Sequence, residues 1–238
     1  MFRLVYLAAG MAIALGFGAA VAGAEEDESM DTRTYTLGVL FFEGFELLDA
    51  MGPLEMLGNV GPGLKIVTVA EEAGEVASAQ QIKTVAEYGF EDCPELDILL
   101  VPGGFGAMKF VMDESKLAWV RDRGEAAEIA ASVCNGSQIL AHAGLLDGRK
   151  ATTNKAYYKM ITGQREQVDW QAKARWVDDG DRVTSSGVSA GIDMSLHLIA
   201  RLFGDERAVK IAELTEYDWH RDPSWDPFAE LHGLAKEE

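Results

Sequence analysis

Cysteine is scarce in this sequence. There are two among 238 residues, Cys93 and Cys134. Two thiols do not make a disulfide framework, and a Cys93–Cys134 bridge is not expected. No Cys-x-x-Cys pair and no histidine-rich cluster occurs, so neither a metal nor a cofactor is expected. Basic residues are also short: 21 Lys and Arg stand against 39 Asp and Glu, a formal net charge of −18. Such a surface repels nucleic acid and anionic membranes, and says little about a small-molecule substrate. Past residue 24, no segment is apolar enough to span a bilayer. Internal repeats and low-complexity linkers are missing too, which argues for one domain.

What is present begins with a targeting pattern. Arg3 precedes an apolar run from Leu4 to Ala22, followed by the small-x-small triplet Ala22-Gly23-Ala24 and the acids Glu25 to Glu28. This reads as a secretory signal over 1–24 and predicts an exported, periplasmic or secreted protein, free of the membrane once cleaved. An uncleaved N-terminal anchor is the alternative. Residues 25–33 read as a flexible lead, 34–220 as the domain and 221–238 as a C-terminal tail.

Hydrophobic residues make up 48% of the chain, enough for a sizeable core. Tyr35 to Phe42 and Asp97 to Pro102 are nearly continuous apolar runs, as in buried parallel strands. Leu64 to Ala70 and Glu128 to Val133 add two more strands. Val76 to Glu87 suggests a small hairpin, and Arg175 to Val177 with Arg182 to Ser185 a second. Helical spacing marks Glu114 to Ala127, Gly136 to Ala143, Gly191 to Phe203 and Asp205 to Tyr217. Between Phe45 and Leu57 the reading is a turn and then a helix, with Pro53 in the helix's first turn. Strands alternating with helices predict an α/β fold with a parallel sheet covered on both faces.

Ser132-Val133-Cys134-Asn135-Gly136 is the sharpest local signal. An apolar strand enters a cysteine and a helix follows at once, the pattern of a nucleophile elbow. A helix start is expected to favour the thiolate, and the Asn135 amide could face a developing oxyanion. Gly103 and Gly104, at the end of another strand, permit close backbone approach, and Gly104 could supply a second amide. Asp49 and Glu55 flank Gly52-Pro53 near the same sheet edge; a carboxyl group buried beside the thiol would tend to stay protonated and act as an acid. None of the four histidines is placed to form a dyad with Cys134. Tyr157, Tyr158 and the Trp-rich tail are expected to shape the pocket.

These segments together resemble the ThiJ/PfpI superfamily, also called class I glutamine amidotransferase-like, nearest its isonitrile-hydratase-like branch. The resemblance is carried by Phe41 to Glu55, Val101 to Gly104, Val133 to Ser137, Gly144 to Thr153 and Thr184 to Asp193, and covers about 35–218. It implies a flavodoxin-like doubly wound sandwich, usually a homodimer, with Cys134 as nucleophile and Asp49 rather than Glu55 as its acidic partner. It maps Gly104 and the Asn135 amide, beside Gly103, onto the oxyanion site, and leaves Asn154, Ser186 and Gly187 as further candidates. In that branch threonine is expected after the cysteine, where this chain has Asn135; many relatives have histidine where it has Asn154. Without that histidine the preferred reading is a cysteine-dependent hydro-lyase acting on a small electrophile. Alternatives are a glyoxalase-like or amidohydrolase activity, or an exported redox-responsive binding protein. The sensor half of a transcription regulator is not expected from so short and acidic a stretch after Gly204.

Overall fold

The computed structural model describes residues 33–234. The expected signal segment and nearly all of the lead lie outside the described residues, as do the last four. The chain runs β1 (Tyr35–Leu40), α1 (Leu47–Gly58), β2 (Leu64–Val69), β3 (Gly74–Ala77), β4 (Lys83–Ala86), β5 (Ile98–Val101), α2 (Ala107–Phe110), α3 (Glu114–Ala126) and β6 (Ile129–Ser132). It continues through α4 (Gly136–His142), β7 (Lys150–Ala151), α5 (Tyr158–Thr162), β8 (Asp169–Trp170), β9 (Trp176–Asp178), β10 (Arg182–Ser185), α6 (Ala190–Phe203), α7 (Asp205–Leu214) and α8 (Pro227–Leu231).

Six strands form the main sheet in the order β2-β1-β5-β6-β10-β9. The first five are parallel and β9 runs antiparallel at the edge. The parallel strands thus follow the flavodoxin-like order 2-1-3-4-5. All four residues of β5, of β6 and of β10 are buried, as strands covered on both faces must be. Edge strand β2 is only partly buried. Helices α1, α6 and α7 pack together, and α3 packs on α4. Winding outward in both directions from β1 puts these groups on opposite faces. Both expected hairpins form, as the pairs β3–β4 and β9–β10.

One local expectation fails. α1 starts at Leu47 and runs through Gly52-Pro53, so Pro53 sits inside the helix and not in its first turn. A proline there gives up a hydrogen bond to the Asp49 carbonyl. The neighbouring glycine serves packing: a Cβ on Gly52 would come within 2.8 Å of Ile192, so Gly52 lets α1 close on α6. The earlier helix start places Asp49 in the first turn, fully buried. Among the described residues, no helix is long and apolar enough to cross a membrane.

Candidate active site

The carboxyl ends of β1, β5, β6 and β10 meet at Cys134. It follows β6 with φ +57°, the left-handed region that strains a non-glycine residue. The strained turn is tied down on several sides. The Cys134 N–H donates to the Ser186 carbonyl at 3.0 Å. Its carbonyl accepts from Ser137 Oγ at 3.0 Å and Thr153 Oγ1 at 3.1 Å. Gly136 opens α4 against the Val101 and Pro102 carbonyls, where any side chain would collide.

Three donors face the sulfur. Asn154 Nδ2 lies 3.2 Å from Sγ, and the backbone N–H groups of Asn135 and Val188 also hydrogen-bond it. Asn154 is itself oriented, its Oδ1 accepting from the Ala156 N–H at 2.9 Å and the Tyr157 N–H at 3.3 Å. Gly187 makes room for it, since a Cβ there would stand 2.6 Å from Nδ2. The asparagine therefore holds the thiol, but an amide nitrogen cannot take its proton.

Asp49 supplies the only carboxyl group among the candidates at this thiol. Its Oδ2 accepts the Gly103 N–H at 2.9 Å, while Oδ1 is buried with no hydrogen-bond partner at normal distance. Burial pushes the Asp49 pKa up to about 7, with Glu46 adding to the rise, against the lowering effect of the Gly103 N–H and the neighbouring Cys134 thiol. The thiol is pushed up too, first by burial and then by the Asp49 charge; its three donors oppose this and do not overcome it. The expectation of a thiolate favoured by the helix start is corrected accordingly. Two acids crowded out of water cannot both ionise, and near neutral pH the pair holds at least one proton.

Other expectations shift as well. The Gly104 amide does not stand ready for an oxyanion. It donates to Asn135 Oδ1 at 2.7 Å, and Asn135 Nδ2 donates back to the Gly104 carbonyl at 3.0 Å. The Asn135 side chain is therefore engaged too, and not offered to a substrate. The Gly103 amide is engaged by Asp49, and a Cβ on Gly103 would crowd both Asn135 and Asp49. Glu55 is exposed on α1 and no part of the site. Ser186 is buried and contributes its carbonyl. His197 hydrogen-bonds Asp178 at 2.7 Å on the far edge strand, and the half-buried His142 has its pKa lowered by burial and Arg165; neither serves the thiol. Both cysteines are free. Among the described residues no three His, Cys, Asp or Glu side chains group as metal ligands.

The aromatic surroundings are redistributed. Tyr157 is half-exposed against Phe105, and Tyr158 is buried beside Lys155. Trp219 and Trp225 line a hollow of their own with His220, Arg221 and Asp222. Sequence reading missed Lys155. Its buried ammonium is held by Thr152 Oγ1 at 2.6 Å and the Ala174 carbonyl at 2.7 Å, and faces Asp226 of the expected tail at 3.7 Å. Burial lowers its pKa to about 8, although Asp226 opposes the change.

A doubly wound sheet carrying a strained elbow cysteine beside a buried carboxyl group defines a class of α/β proteins. The DJ-1/PfpI family pattern matches residues 36–201, and the chain belongs to that family. It is 35% identical to isonitrile hydratase of Pseudomonas putida over 76% of this chain and 78% of that protein. A crystal structure of a ThiJ/PfpI family protein from Pseudomonas syringae superposes with a TM-score of 0.75 at 32% identity, over 86% of this chain and 84% of that one. The chain is also 28% identical to the transcriptional regulator GbdR of Pseudomonas aeruginosa over 77% of its own length, spanning 51% of that regulator.

Proposed function

We propose that this protein is a cysteine-dependent hydro-lyase that hydrates small isonitriles to N-substituted formamides. The observation that carries the reading is the pairing of Cys134 with a carboxyl group whose pKa is about 7, with no histidine at the thiol. A carboxyl group poised near neutrality can give and take a proton in one turnover. In the first step the thiol adds across the isonitrile carbon: a C–S bond forms and that carbon gains a proton through Asp49, leaving a neutral thioimidate. Water then adds to the same carbon, the C–S bond breaks, the substituted nitrogen retains a proton and the thiol is restored.

The engaged amide of Gly104 favours this reading over amide or ester hydrolysis. Those reactions build an oxyanion and draw on free amide donors for it, whereas the thioimidate is uncharged. The redox-sensor reading is disfavoured because a buried thiol with a raised pKa is a poor target for peroxide. The similarity to isonitrile hydratase supports the substrate class. The test is formamide production from methyl and benzyl isonitrile by wild type and Cys134→Ala. Wild-type turnover that disappears in the variant is the expected result; full turnover by the variant sinks the mechanism.

A further inference from the structure

Phe228 belongs to α8, in the expected tail, yet with His232 it lines a cavity of about 250 Å³ whose other walls include Asn154, Lys155, Gly187 and Val188. Two of its lining residues reach the thiol. Asn154 and Val188 are two of the three donors on Sγ. The wall that α8 provides is fixed from inside the fold. Asp226 caps α8 by accepting the Phe228 N–H at 3.0 Å and stands 3.7 Å from Lys155 Nζ, both side chains being at least 98% buried. The Pro223 carbonyl accepts the Arg175 N–H at 2.7 Å, fixing the approach to α8. Phe228 itself is half-exposed, one part facing solvent and the other the cavity.

The chemistry of the lining is selective. The Lys155 ammonium is already held by Thr152, Ala174 and Asp226. No unpaired charge is left to greet a ligand, and no carboxylate lines the space. The remaining surface is small residues, one phenyl ring and one imidazole. Its volume falls below that of pockets for drug-sized ligands, about 300–1,000 Å³.

We infer that this cavity receives the uncharged, apolar substituent of the molecule that reacts at Cys134, and that Phe228 sets how large that substituent can be. The inference deepens the hydro-lyase reading and rests on Cys134 as the reacting group.

The test is alkylation of the full chain by iodoacetamide and by its N-benzyl derivative, with adducts at Cys134 and Cys93 resolved by peptide mass spectrometry. In either reaction sulfur displaces iodide and its proton goes to solvent. Phe228→Ala is expected to raise the benzyl-to-unsubstituted rate ratio at Cys134 by roughly ten-fold, and Phe228→Trp to lower it. Leu231→Ala, on the same helix but exposed and off the cavity, is expected to leave the ratio within about two-fold. The buried Cys93 reports on the fold and should keep its wild-type rate. An unchanged ratio in Phe228→Ala, or an equal change in Leu231→Ala, overturns the inference. The same variants are then compared on methyl and benzyl isonitrile. A shifted alkylation ratio without isonitrile turnover keeps the wall and rejects the hydro-lyase; turnover with unmoved ratios does the reverse.

Discussion

Asn135 and the backbone of Gly104 satisfy each other twice in a buried setting, the carboxamide accepting at 2.7 Å and donating at 3.0 Å. This bridge joins the residue after Cys134 to the loop after β5. Asn135→Ala leaves the buried Gly104 N–H without a partner, at a cost of about 1–3 kcal/mol, while the Gly104 carbonyl keeps the Ala107 N–H at 3.1 Å. Urea unfolding should show a lowered midpoint with an unchanged slope. Wild-type stability in this variant would mean that water replaces the carboxamide without loss.

Asp49 gives the protein a pH dependence of unusual sign. Its carboxyl group holds a proton up to about pH 7 when folded, against 3.8 for the free group. Between those values the folded state binds the proton and the unfolded chain has released it, so stability falls as pH rises. The loss is roughly 4 kcal/mol across that window, at 1.36 kcal/mol per unit. Asp49→Asn should flatten this slope and be the more stable protein at pH 8, as read by urea unfolding at pH 4, 6 and 8.

The same substitution should separate reactivity from turnover. Removing the Asp49 charge lowers the thiol pKa, so Cys134 is alkylated faster at pH 8. On the proposed mechanism, which routes the proton through Asp49, isonitrile hydration should drop by a factor of about 10² or more. Slower alkylation in Asp49→Asn would instead make the carboxylate an activating base in the resting protein.

Asn154 should act on the thiol as well as on the Ala156–Tyr157 turn that its Oδ1 holds. Asn154→Ala removes a donor that stabilises the thiolate, and alkylation at fixed pH slows by about ten-fold, the lower end for a hydrogen bond to a charged group. Gly187→Ala should mimic it with Asn154 left in the sequence, because the added methyl group displaces Nδ2. Matching pH profiles of alkylation for the two variants are the expected result. A wild-type profile for Gly187→Ala would show that the loop yields instead.

Arg175 and Asp193 form a buried ion pair at 2.6 Å, and Asp193 Oδ1 also accepts from the Tyr217 hydroxyl and the His220 N–H. Arg175→Met strips the counter-ion from that carboxylate and should cost about 3–5 kcal/mol. Because the partners lie in the chain after α7, Trp219 and Trp225 fluorescence should change along with global stability. Double substitution of Arg175 and Asp193 by apolar residues should recover part of the loss.

Much of this architecture was legible in the sequence. The continuous apolar runs of β1 and β5 could only be strands buried on both faces, and the small residues around Cys134 announced the elbow. Asp49, Cys134 and Asn154 do meet. What stayed hidden depends on side-chain direction or on distant pairing. No periodicity tells that Asn135 turns back onto Gly104, 31 positions earlier. The Trp, Pro and acid content of the last stretch reads as a tail, because Asp226 finds its counter-ion 71 positions away, at Lys155. Pro53 misled because α1 begins at Leu47, earlier than the proline suggests, and the neighbouring Gly52 packs closely on Ile192 of another helix.

The tie between the Cys134 N–H and the Ser186 carbonyl has a consequence for the time course of folding. The strained backbone at Cys134 is held by a residue 52 positions later, beyond the last parallel strand. Such non-local closure is paid for late. A chain that has not yet docked β10 leaves Cys134 relaxed, hydrated and open to alkylation as an ordinary thiol. In refolding, the loss of fast alkylation at this one residue marks the moment the last parallel strand docks, so Cys134 doubles as a clock for that step.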